Sequence, residues 1–95
     1  MIPNHRIPAH PGKILKEEFL DELGISQVAF AAHIKVSVQR INEIVRGKRG
    51  ITSETAWLLA QALDTTPEFW LNLQATYDLA LSRPQKAIVK LHMAS

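Results

Sequence analysis

Between Ser26 and Gly47 two short helix signals stand almost end to end, and nothing else in the chain restricts the fold as tightly. Ser26 is an N-cap type of residue placed before Gln27-Val28-Ala29-Phe30-Ala31-Ala32-His33-Ile34, in which Phe30, Ala31 and Ile34 share a face. Ser37 opens a second segment, Val38 to Arg46, with Ile41, Ile44 and Val45 on its apolar side, and Gly47 takes the stop position that favours a left-handed residue. Only Ile34-Lys35-Val36 remains to turn the chain, which predicts a helix-turn-helix over residues 26–46. Two short helices crossing steeply must send Phe30, Ala31, Ile34, Val36, Ile41 and Ile44 inward, with Ala31 small where they come closest.

The flanks carry the same kind of signal. Pro11 suits a first helical turn that Gly24 would end, and Leu15, Phe19 and Leu23 fall at i, i+4 and i+8 as one stripe. Asp21 and Glu22 sit at that helix's C-terminal end, where the macrodipole disfavours anions. Thr52 or Ser53 opens a fourth helix with Ala56, Leu59, Ala60 and Leu63 on one face. Thr66-Pro67 opens a fifth, which Arg83-Pro84 closes because a residue before proline avoids the helical region. Alternation with period two occurs only weakly, from Ile88 to Met93. The expectation is an all-α chain: an arm at 1–10, a compact five-helix domain at 11–82, and a tail at 83–95, either dimer-associated or mobile.

Composition removes whole classes of function. At 95 residues there is room for one core, and no apolar run approaches the ~20 residues of a membrane span. The N-terminus has no apolar signal region, and cysteine is absent, which rules out disulfides, thiolate metal sites and a Cys nucleophile; a cytoplasmic home is expected. His5, His10, His33 and His92 are scattered without metal-ligand spacing. No nucleophile elbow, P-loop or dinucleotide fingerprint is present, so neither an enzyme nor a cofactor is expected.

Charge is sorted along the chain. Residues 33–50 carry Lys35, Arg40, Arg46, Lys48 and Arg49 against Glu43, a net +4. Residues 51–82 carry Glu54, Asp64, Glu68 and Asp78 without a Lys or Arg, a net −4. A basic stretch beside an acidic one suggests one face for a polyanion and another for a second partner. On the third helix the positions not claimed by the core are Gln39, Asn42, Glu43 and Arg46, with Arg40 at the flank. Gln, Asn and Arg can each make paired hydrogen bonds to base edges in a major groove. A solvated polar face would explain that helix alone. Gln27 opening the preceding helix and the Gly47-Lys48-Arg49 loop after it add phosphate anchors on both sides, which a merely polar face does not need.

Ser26-Gln27, Phe30-Ala31, Val36-Ser37, Ile41, Ile44 and Gly47-Lys48-Arg49 together resemble the helix-turn-helix of the phage-repressor-like (XRE) family, with its lambda-repressor-like fold. Outside that motif, His10-Pro11-Gly12-Lys13-Ile14-Leu15, Glu17-Glu18-Phe19-Leu20, Ile51-Thr52, Thr55-Ala56, Thr66-Pro67-Glu68-Phe69-Trp70-Leu71-Asn72-Leu73-Gln74 and Tyr77-Asp78-Leu79 resemble the HigA antitoxins of HigBA toxin–antitoxin modules. The resemblance spans roughly residues 10–80. It implies a protein that neutralises a HigB-like mRNA-cleaving toxin and, as a homodimer, represses its own operator DNA. By position it assigns Ser37, Val38, Gln39, Arg40, Asn42 and Glu43 to base reading, and Gln27, Lys35, Arg46, Lys48 and Arg49 to the phosphates. Lys35 departs from the pattern, standing where the family usually has glycine; a positive φ there would cost Lys about 1 kcal/mol relative to Gly, an expense a phosphate contact could offset.

On the fifth helix, Phe69, Trp70, Leu73, Tyr77 and Leu81 fall within an arc suited to the core, while Leu71 and Leu79 fall outside it and are expected at a dimer contact. Two alternatives stay open: an XRE-type repressor without a toxin, and an interaction module that kept the fold but lost DNA binding. The toxin surface is expected on the acidic span 51–82 or on the acidic first helix.

Overall fold

The computed structural model describes residues 7–92, so the expectations for His5 and Met93 lie outside it. Among the described residues there are five helical rods and no strand. Helix α1 is a continuous rod of α-helical Pro11–Ile14, π-helical Leu15–Leu20 and α-helical Asp21–Leu23; α2 is Gln27–Ile34, α3 Val38–Val45, α4 Ser53–Leu63 and α5 Pro67–Leu81.

Each later helix begins on the hydroxyl the sequence points to. Ser26 Oγ accepts from the Ala29 N–H at 3.0 Å, Ser37 Oγ from Arg40 at 3.1 Å, Thr52 Oγ1 from Thr55 at 3.3 Å and Thr66 Oγ1 from Phe69 at 3.1 Å. Each bond satisfies one of the four N–H groups that a helix leaves open at its start. The exits are left-handed at Gly24 (φ 65°), Lys35 (φ 62°) and Asp64 (φ 55°), so Lys35 does adopt the positive φ whose cost the sequence raises. Asp64 tolerates that region because its short polar side chain can bond locally.

α1 departs from its expected stripe. Leu15 and Leu20 are buried and Phe19 is half-buried, while Leu23 is 65% exposed. The cause is the π segment, in which the Asp21 N–H reaches the Lys16 carbonyl five residues back, so neighbours along the rod come at i+5 rather than i+4. The same shift pairs Lys16 Nζ with Asp21 Oδ2 at 2.9 Å, relieving one of the two anions at the rod's unfavourable end.

The core gathers Leu15, Leu20, Phe30, Ile41, Ile44, Leu59 and Trp70, the last wholly buried with its indole N–H donating to Thr65 Oγ1 at 2.8 Å. Phe19 of α1 and Phe69 of α5 flank Trp70 at ring-centre distances of 5.3 and 5.0 Å. The expected arc of α5 holds for Trp70 and, half-buried, for Leu73 and Tyr77, whereas Phe69 and Leu81 are 38% and 53% exposed. Leu71, expected outside the core, is half-buried against it, because α5 packs against both α1 and α4 and so buries more than one face.

α1 and α3 approach closely at Gly12. Gly12 is buried, and a Cβ added there would collide with the Ile44 carbonyl and crowd Val45 Cα. His10 caps this turn, its Nδ1 accepting from the Gly12 N–H at 2.9 Å. Its ring meets Tyr77 of α5 edge-on at 4.9 Å and lies beside Gly47. Burial pushes the imidazole below its ordinary value near 6.5, against a smaller upward pull from Asp78. His10, Tyr77 and Asp78 line one side of a surface cavity, and Lys48 lines it from the loop after α3.

Two outcomes follow from this contact. Gly12→Ala should lower unfolding free energy by ~1–3 kcal/mol through overpacking against a backbone carbonyl, read from denaturant midpoints. Because folded His10 binds fewer protons than the unfolded chain, stability should fall as pH drops from above 6.5 through the lower folded value. In His10→Asn, which keeps a side-chain acceptor, melting temperature between pH 7.5 and 5 should change less than in the parent.

Candidate nucleic-acid interface

The turn between α2 and α3 is closed by backbone bonds, with Lys35 N–H on the Ala32 carbonyl at 3.2 Å and Val36 N–H on that of Ala31 at 3.0 Å. Val36 packs half-buried against the core, and Ile41 and Ile44 are fully buried, so the opposite side of α3 faces outward. Ser37, Val38, Gln39 and Arg46 are exposed there. The Ser37 hydroxyl is already engaged as the α3 cap.

Asn42 is half-buried and donates from Nδ2 to Gln27 Oε1 at 3.2 Å. That bond joins the first residue of α2 to the outer face of α3, so two residues assigned to different tasks are held as one unit.

The charged residues of α3 are both engaged. Arg40 turns toward α4, donating from Nη2 to Glu54 Oε1 at 3.3 Å and to the buried hydroxyl of Thr55, and its side chain is only 25% exposed. Sequence places Arg40 among the base readers; the structure places its guanidinium on the neighbouring helix. Glu43 is bonded by Arg49 through Nε at 2.9 Å and Nη2 at 2.8 Å. That hydrogen bonding holds the Glu43 carboxyl below its usual range, with lesser help from Gln39 and Lys48.

The basic loop is folded back onto the helix it follows. Gly47 takes φ 74°, and the N–H groups of Lys48 and Arg49 both reach the Glu43 carbonyl, at 2.8 and 3.2 Å. Farther along, Ile51 N–H donates to Gln74 Oε1 of α5 at 2.7 Å, and Gln74 in turn donates to Asp78 Oδ1 at 2.9 Å. Lys48 and Arg46 are exposed beside it, and Lys35 is exposed at the other end of α3. The outer face of α3 is therefore a short polar strip with cations at both ends and one fixed carboxylate between them.

Thr55, Glu54, Gln74 and His10 hold this strip in place, and the sequence reading gave none of them that role. Thr55 carried the one usable signal, a polar residue on the buried side of α4 beside Ala56 and Leu59. Of the expected dimer residues, Leu79 is 74% exposed and Leu71 is half-buried. No group of His, Asp or Glu side chains suited to a metal ion occurs among the described residues, and no described helix is long and apolar enough to cross a membrane.

The helix-turn-helix family matches this chain over residues 15–70. Virulence-associated protein I of Dichelobacter nodosus is 43% identical over 88 residues, covering 92% of this chain and 82% of that protein. Antitoxin HigA-1 of Vibrio cholerae is 40% identical over 74 residues, covering 78% and 70%. The structure of the Pseudomonas aeruginosa antitoxin HigA with the higBA promoter is 48% identical, superimposes with a TM-score of 0.77, and covers 79% of this chain and 82% of that one. With the capped pair α2–α3, the outward polar strip and these relatives together, the chain belongs to the XRE-type helix-turn-helix family of HigA antitoxins.

Proposed function

We propose that this chain is the antitoxin of a HigBA-like module, binding its operator DNA as a homodimer to repress the module and neutralising a HigB-like mRNA-cleaving toxin. The observation that carries the DNA half is the outer face of α3. Gln39 is exposed on it, Asn42 is locked to Gln27, and Lys48 and Arg49 are folded against its end. A relative of the same fold was solved with its promoter. In this reading Ser37, Val38, Gln39, Asn42 and Glu43 meet base edges, and Gln27, Lys35, Arg46, Lys48 and Arg49 hold phosphates. Arg40 sets the pitch of α3 from the α4 side. Two copies place their α3 helices in successive major grooves about one helical turn apart. The protein would work in the cytoplasm, on the nucleoid when operator-bound.

The toxin half rests on family membership and on charge. A toxin that holds mRNA must present cations, and α1 offers exposed Glu17, Glu18 and Glu22. The acidic span is less free, since Glu54 is taken by Arg40 and Asp78 by Gln74.

If each copy neutralises ~3–5 phosphates, log K against log salt should slope by roughly −5 to −9 for the dimer. Gln39→Ala should relax discrimination at one base position by ~1–3 kcal/mol, while Lys48→Ala should weaken all duplexes alike. An operator affinity indifferent to salt would remove phosphate anchoring. Reversing Glu17, Glu18 and Glu22 to Lys should weaken capture of the purified toxin at least tenfold without weakening operator binding; unchanged capture would take α1 out of the toxin interface.

A further inference from the structure

Every residue from Asp78 to His92 is exposed, although the stretch contains Leu79, Leu81, Ile88, Val89 and Leu91 at 53–87% exposure. Single surface leucines need no explanation, but five large apolar side chains in one unburied stretch do. Beyond Asp78 its charged residues are all cationic: residues 79–92 carry Arg83, Lys86 and Lys90 and no carboxylate.

Elsewhere on the molecule an apolar groove of about 320 Å³ runs between α1 and α5, lined by Pro8, Ala9, Ile14, Phe69, Leu73 and Thr76 with Asn72 on its rim. Its surroundings are mainly acidic, although exposed Lys13 adjoins Ile14. Glu68 stands one turn before Asn72, and exposed Glu17 and Glu18 stand one turn beyond Ile14. The spacing also fits: an extended chain repeats a face every two residues, ~6.6 Å, and a helix repeats one every four, ~6 Å, so Val89 and Leu91 match Leu73 and Phe69 in step.

The tail does not lie in the groove of its own chain. α5 ends at Leu81, Arg83 precedes a proline and so stays extended, and the chain runs on from there without any residue becoming even half-buried. We propose that the tail of each copy, residues 84–92, docks in the α1–α5 groove of a second copy, so that the dimer is tied by two reciprocal arms continuous with the exposed Leu79 face. This extends the two-fold reading given above and rests on it. Such a contact is isologous, with each copy giving an arm and receiving one.

The chain has no native cysteine, which makes the test direct. Two differently tagged full-length chains, Asn72→Cys and Val89→Cys, are mixed, equilibrated and mildly oxidised. The expected product is a disulfide-linked heterodimer far exceeding either homodimer. Chains bearing Val89→Asp and Leu91→Asp should show a dimer dissociation constant raised at least tenfold by light scattering, with unchanged helical circular dichroism. If the double variant Asn72→Cys/Val89→Cys instead closes within one chain, or the mixed Asn72→Cys and Val89→Cys chains do not cross-link, the arm exchange is wrong. A parent chain that is monomeric at all concentrations sinks the two-fold reading as well. A dimeric parent whose cysteine variants do not cross-link sinks only the arm.

Discussion

A buried glycine backbone pressed against the last carbonyl groups of α3 sets where the recognition helix stands on the body. Gly12 leaves no space for a β-carbon, and the rod that carries it also supplies Leu15 and Leu20 to the core beneath α3. From this contact the rest follows in order. His10 caps the turn and covers Gly47; Gly47 takes the left-handed conformation; Lys48 and Arg49 fold back on Glu43. The basic end of the α3 strip is thus placed by the first helix of the chain.

The outer face of α3 is organised by polar pairs. An exposed ion pair such as Glu43–Arg49 adds little to stability, so its value is geometric: it fixes a guanidinium and a carboxylate that would otherwise sample many positions. Arg40 is different, because the buried Thr55 hydroxyl that receives it would lose a partner if the arginine swung out. The Gln27–Asn42 bond couples the two helices of the motif at their outer edge, where no apolar contact does so.

Element boundaries were legible because local chemistry sets them. Ser26, Ser37, Thr52 and Thr66 cap where their residue type suggests. Most core positions of α2 to α4 could be read from periodicity for the same reason. What could not be read depends on partners far along the chain or on a change of helical period. The π segment displaces Leu23 from the core in favour of Leu20, and a constant 3.6-residue period cannot anticipate that. Arg40 lies on the expected side of α3, yet its direction is decided by Thr55 fifteen residues away. Leu71 is half-buried because two helices, not one, pack on α5. Gly12 was visible as a letter but not as a point of contact, since nothing local requires a glycine there.

The caps differ in what they depend on. Four helices start on a hydroxyl a few residues away, a bond each segment forms without help from the remainder of the protein. α1 alone starts on an imidazole, which must stay uncharged and must rest on Tyr77 and Gly47 to hold its place. Four of the rods are therefore autonomous beginnings, and the first is not: its start, and with it the support under the far end of α3, exists only once α5 and the loop after α3 are in place.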